Sequence, residues 1–310
     1  DTMSPSARFA AALCHVAVFH AVGAFFQARM PRLAMALHGI GTLALGAGIF
    51  LAGQIFNLQE HWPTAILLWA AGAWAGFWLL GDWVQGLLAA LLTPGWLVGE
   101  WTVATQHGWL MAEGSQRILA VGLFSLAIAY LTLRRGDGDS LVHRALGWTG
   151  GIALIPCAFG LVFSTFDQGW TEHIALPGRL AALGWSAALG LPLLVALFRR
   201  RTRTWMNAVA LLWAVLAGSM GDRQWEIYAW CALGAVGLAA WGLHEARRER
   251  VNLGVAGFAI TVVCFYFSDV MDKLGRSLGL MGLGVLFLLG GWQLERLRRR
   301  LNARIAGGAA

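Results

Sequence analysis

A chain of 310 residues that is 58% hydrophobic and only 13% charged has about half the charge of a typical soluble domain. Its uncharged runs of about 17 to 23 residues are long enough to cross a hydrocarbon core of roughly 30 Å, where only self-satisfied helices are stable. The period-2 alternation of a membrane barrel is absent, and the net charge of +7 sits at helix ends, which excludes nucleic acid as the reading of its basicity.

In chain order the spans are expected at 9–27, 33–53, 64–80, 83–99, 117–133, 143–165, 177–198, 204–220, 225–243, 251–271 and 275–294. That is an all-α, polytopic bundle of about eleven helices forming a single integral membrane domain, with no soluble domain. Ser4-Pro5-Ser6 marks a helix start. The longest connector, 100–116, carries Glu100, His107 and Glu113 and suggests an interfacial helix. Cys14, Cys157, Cys231 and Cys264 all lie inside apolar runs without a CxxC pair, so they read as buried free thiols.

The connectors alternate in charge. With the tail 295–304 placed in the cytoplasm, the connectors 28–32, 81–82, 134–143, 199–203 and 244–250 join it. Together with Arg144 at the edge of its span, that side holds 17 of the 23 basic residues. The other side holds Arg8, Arg117, Arg179, Arg223, Lys273 and Arg276. This bias follows the positive-inside rule for a bacterial inner-membrane protein with a cytoplasmic C-terminus. Ten of the sixteen acids fall on the outer side, which suits either an ordinary solvated face or a cation-attracting vestibule.

Small residues recur at four-residue spacing, as in Gly72 and Gly76, Gly147 and Gly151, and Gly275 and Gly279; such spacing suits close helix packing in lipid. Trp residues gather near span ends, where interfacial anchors belong, while Trp69, Trp74 and Trp78 lie inside the third span.

The most distinctive polar segment is 53–63, which places Gln54, Asn57, Glu60 and His61 at the outer end of the second helix, before Pro63 opens the third. Gln54 and Asn57 share a face if the helix persists. Asp222 and Glu226 share a face at the start of the ninth span. Asp269 follows Phe265-Tyr266-Phe267-Ser268 and is placed below the headgroups. Gln54, Asn57, Glu60, His61, Asp222, Glu226 and Asp269 are therefore the candidate ligand-binding residues. A metal site joining Glu60 and His61 to Asp167, Glu172 and His173 would need separate loops to converge, and no HxxxH or HExxH spacing supports it. His15, His20 and His38 lie within spans, and His15 and His20 point about 140° apart on a helix. Polar packing between helices is the expectation for them, over metal binding or a proton relay.

Two stretches resemble a known family. Gly46–Leu58 followed by His61-Trp62-Pro63 and Leu67-Leu68-Trp69, together with Val251-Asn252-Leu253-Gly254, Tyr266-Phe267-Ser268-Asp269 and Leu274-Gly275-Arg276-Ser277, are similar to a bacterial integral-membrane family called domain of unknown function 2157. The resemblance implies a membrane bundle and transfers no activity. It also implies a further helix upstream, since the chain opens on Asp1.

No Walker loop, GxSxG, Rossmann glycine pattern or haem CxxCH is present, so no cofactor, no metal and no catalytic residue is assigned. The expected function is a small-molecule or ion transporter, or binding protein, with an outward polar site. The alternatives are a membrane scaffold that binds another membrane-protein subunit, and an envelope enzyme acting on lipid-linked substrate. Membrane lipids are the expected surroundings and nucleic acid is not a partner.

Overall fold

In the computed structural model the described residues are 4–56, 61–107, 110–133, 138–163, 171–217, 224–267, and positions 284, 285, 288, 290–292, 295, 296 and 299. Helices dominate, as the composition requires. Eight described segments are long and apolar enough to cross a membrane, one of them the continuous stretch Gly178–Ala217.

Proline opens the first three helices. Helix α1 (Pro5–Phe26) is capped by Ser4, whose Oγ accepts from the Ala7 N–H at 3.3 Å. Helices α2 (Pro31–Ile55) and α3 (Pro63–Leu80) also carry Pro in their first turn, where its missing N–H costs nothing. Gly81 ends α3 with φ of 61° and donates its N–H to Phe77 O, the left-handed stop that glycine allows without strain. Asp82 then caps α4 (Trp83–Thr105) by accepting from the Val84 N–H at 2.8 Å. The α3–α4 reversal thus takes two residues.

Contacts divide the chain into two compact units, Asp1–Leu154 with Asp167–Arg201, and Ile155–Phe166 with Thr202–Ala310. In the first, α1 packs on α2, α3 on α4, and α2 against both α3 and α4. Helix α5 (Ser115–Leu133) is half buried, with Ile118, Val121, Phe124, Ile128 and Leu131 inside. It packs against α7 (Gly178–Trp185), a π-helical turn (Ser186–Gly190) and α8 (Leu191–Arg200). Pro192 follows that turn and has no N–H to donate, which suits the wider winding there. Helix α6 (Leu141–Phe163) meets α5 at Gly150, where a Cβ would lie 2.5 Å from Ala127 O and 2.8 Å from Tyr130 Cβ. By contrast α1 buries only Gly23; its apolar surface suits lipid.

The connector 100–116 is not an interfacial helix. Helix α4 runs on to Thr105, and the chain then forms a hairpin of β1 (Gln106–His107) and β2 (Leu110–Glu113). Strand β3 (Thr171–Ala175), from the connector after α6, pairs parallel with β2. Lying beyond the apolar spans, these two connectors satisfy their backbone groups on each other. Their pairing also puts both at one end of the unit, as the alternation of spans requires.

In the second unit α9 (Thr204–Ala217) and α10 (Gln224–His244) are tied by Trp213 and Trp230. Each indole N–H donates to the other's backbone carbonyl, at 3.1 and 3.2 Å, with the rings parallel and 6.2 Å apart. Helix α11 (Arg248–Phe265) folds back on α10 at Gly254, where a Cβ would lie 2.6 Å from Ala235 O. Its first turn holds Arg248, Glu249 and Arg250, ahead of the expected span 251–271, whose last four residues lie outside the described residues. Arg250 is buried, paired with Glu245 and stacked 4.9 Å over the Trp241 ring. The last expected span, 275–294, lies mostly outside the described residues, and its described positions are helical.

Candidate functional site

The polar segment at the end of α2 is only partly described. Gln54 is exposed in the last turn of α2, while Asn57 and Glu60 lie outside the described residues. His61 precedes α3 and donates from Nε2 to Glu100 Oε2 at 2.7 Å. Glu100 Oε1 accepts from Trp96 Nε1 at 2.8 Å. This contact depends on Gly99: a Cβ there would lie 3.0 Å from Trp62 and 3.1 Å from Pro63. Without one, the start of α3 settles against the end of α4 and brings His61 to Glu100. Both side chains are exposed, so the pair contributes little to stability. Glu226 lies in the first turn of α10, in the second unit; Asp222 and Asp269 are outside the described residues. Among the described residues no three His, Cys, Asp or Glu side chains are grouped to hold a metal ion.

The structure brings together a different set on α2 and its neighbours α1 and α4, with His38 and Gln85 buried and His20 half-buried. His38 lies seven residues into α2, about 10 Å along its axis, and is only 3% exposed. Its Nδ1 is 3.0 Å from Nδ1 of His20 on α1, with the rings 5.3 Å apart and inclined by 30°. One turn further along α2, Thr42 Oγ1 donates to Gln85 Oε1 at 2.8 Å. Gln85, fully buried on α4, donates from Nε2 to the His38 carbonyl at 2.9 Å. Trp69 Nε1 donates to the Thr42 carbonyl at 2.7 Å. Every polar atom of the Gln85 amide thus has a partner on α2.

Glycines make room for this seam. A Cβ at Gly23 would sit 2.8 Å from the His38 ring, one at Gly41 2.8 Å from the His20 ring, and one at Gly76 2.9 Å from Gln85 Oε1. Within this seam two polar atoms remain unmatched by the described residues: His38 Nε2 and Asp82 Oδ2, the latter on a residue 6% exposed. Burial pushes the Asp82 carboxyl above its usual range, while the Val84 N–H and the charge of nearby His38 pull it back. Such groups inside a lipid-length bundle are costly to bury.

Sequence reasoning met His20 and His38 as separate polar residues and passed over Thr42, Asp82 and Gln85. Two signals were present. His38 and Thr42 are four apart on one face, and Gln85 is the one amide in the fourth span. Their pairing across 18, 43 and 47 residues needs the helix placement. His15 points elsewhere, as its spacing from His20 implied: its ring bonds the Ala11 carbonyl at 2.6 Å.

Residues 1–86 match the family model described as "Predicted membrane protein (DUF2157)". That stretch contains both the 53–63 segment and the buried seam from His20 to Gln85. No curated protein and no solved structure matches the chain.

Proposed function

We propose that this membrane protein moves or binds a small polar solute or ion through the first unit, with the seam of His20, His38, Thr42, Asp82 and Gln85 as its interior site. The observation that carries the reading is the pair of buried atoms, His38 Nε2 and Asp82 Oδ2, without partners among the described residues. An unmatched polar atom in an apolar interior costs on the order of 1–3 kcal/mol, and a polar solute, ion or water in the seam would offset that cost at both atoms. The charge alternation supports a bacterial inner-membrane setting with a cytoplasmic C-terminus. In that orientation the Asp82 turn faces the cytoplasm, and the order of spans along the chain assigns the sequence positions of Gln54, Asn57, Glu60 and His61, like those of Asp222, Glu226 and Asp269, to the outer side.

The scaffold reading has less behind it. Gly72 and Gly76, one of the three small-residue pairs it could use for a partner helix, are covered by Leu45 and Gln85 of the same chain. No observation favours the envelope enzyme.

Currents from liposomes carrying the full chain, recorded on a supported membrane after jumps of Na⁺, K⁺, chloride or phosphate with and without a pH gradient, test the proposal. A response that Gln85→Leu abolishes supports it. Silence in every condition from folded protein turns the reading to the scaffold.

A further inference from the structure

We infer that His20 and His38 form a one-proton relay between α1 and α2, in which a single proton is held across Nδ1···Nδ1 and further protons come and go at the outer ring nitrogens. This deepens the transport reading and rests on it for what the proton would drive; the proton site itself stands on the geometry.

Two imidazole Nδ1 atoms 3.0 Å apart are within hydrogen-bond distance only if one carries a proton and the other offers a lone pair. In the neutral pair the donor ring therefore has a bare Nε2, and the acceptor ring has Nε2–H. Added acid has one place to go, the bare Nε2, giving an imidazolium that donates through Nδ1–H to the neutral ring. A second added proton would set two N–H groups against each other and break the contact. The pair thus takes up one proton, not two. If the shared proton crosses to the other Nδ1, the other ring becomes the cation and its Nε2 proton can leave. The net result is one proton moved from one Nε2 to the other, with every nitrogen accounted for.

The setting suits this chemistry. Whichever tautomer His38 adopts, its buried Nε2 is a donor or acceptor with no partner among the described residues, which is what a water or proton-delivery position requires. Gly23 and Gly41 lie against the two rings and leave space where any side chain would displace them. The groups facing the pair are few. The Asp82 carboxyl, from the α3–α4 turn, is drawn down by the charge of His38; Gln85 from α4 is uncharged; α3 has no titratable side chain. Arg29 and Arg32 are exposed at the α1–α2 turn, and His15 is turned to its own helix. Among the described residues a single acid is thus coupled to the pair. Zinc is the competing occupant, since two imidazole nitrogens this close also suit one ion. It takes four ligands, and among the described residues no third side chain joins the two rings.

The test is ¹⁵N-histidine NMR of the full chain in lipid nanodiscs, with metal removed. A through-hydrogen-bond coupling between the two Nδ1 atoms, persisting on addition of one proton and lost in both His20→Gln and His38→Gln, is the expected result. Two rings that titrate independently with no coupling overturn the inference, and this readout on the unaltered chain does not depend on any variant folding. Stoichiometric zinc that binds the unaltered chain, abolishes the coupling and fails to bind either variant also overturns it, in favour of a metal site. A second measurement uses liposomes loaded with a pH-sensitive dye. Dissipation of an imposed pH gradient that falls to the empty-liposome level in His38→Gln supports both the relay and the transport reading. A coupled pair without flux keeps the proton site and overturns transport.

Discussion

Gln85 provides the sharpest test of the seam. It is fully buried and joins α4 to α2 by two hydrogen bonds, one from Thr42 Oγ1 and one to the His38 carbonyl. Side-chain hydrogen bonds inside membrane proteins average about 0.6 kcal/mol and reach about 1.7 kcal/mol. Gln85→Leu keeps most of the volume and removes both bonds, so the expected loss is about 1.2 kcal/mol. The loss is limited because Thr42 can turn its hydroxyl to the carbonyl four residues back, which is the His38 carbonyl that Gln85 releases. Thr42→Val deletes the other hydroxyl partner at similar size, and the Thr42→Val/Gln85→Leu cycle isolates the shared bond at about 0.6 kcal/mol. Unfolding in mixed micelles by detergent titration, followed by far-ultraviolet circular dichroism, measures all four stabilities. Additive single losses with no coupling, or a Gln85→Leu protein as stable as the original, would refute the seam as built.

Asp82 has two separable roles: Asp82→Asn keeps the cap on Val84 and removes a buried charge, whereas Asp82→Ala loses the cap at a cost of about 1 kcal/mol. Because burial raises the native Asp82 carboxyl above its reference of 3.8, the native state binds more protons than the unfolded state just above that value. Stability from this group therefore falls as pH rises through the native titration, and Asp82→Asn flattens that slope in melting curves. Gly23→Ala drives a Cβ into the His38 ring and is expected to cost about 1–3 kcal/mol. Gly48→Ala meets only Ala12 at 3.6 Å and is expected to be neutral or stabilising by up to about 1 kcal/mol; equal melting temperatures for the two variants would contradict the cradle. Arg250→Ala strands Glu245 in a buried setting and is expected to cost about 3–5 kcal/mol, most of it recovered by Arg250→Met with Glu245→Leu. A cysteine placed at position 200 is expected to resist impermeant thiol reagents in intact cells, and labelling there would reverse the orientation.

Much of this protein is set by composition and spacing alone. Apolar runs of membrane length could be satisfied only by helices, so the bundle and most of its boundaries were legible in the chain. Proline at positions 5, 31 and 63 and the Gly81-Asp82 pair fixed where four helices begin or end, through local backbone chemistry that needs no tertiary partner. The sheet was hidden, because β2 finds β3 across some sixty residues and neither strand carries a signal strong enough to be read alone. The candidate site was hidden for the same reason. His20, His38, Thr42 and Gln85 each look like an isolated polar residue in an apolar helix. Only the packing of α1, α2 and α4, made close by glycines whose absent Cβ atoms leave room for the rings and the amide, turns them into a connected seam. Sequence directed attention to the charged outer segment at 53–63, where polarity is cheap in water. Tertiary structure adds a second set, from His20 to Gln85, at a place where polarity is expensive.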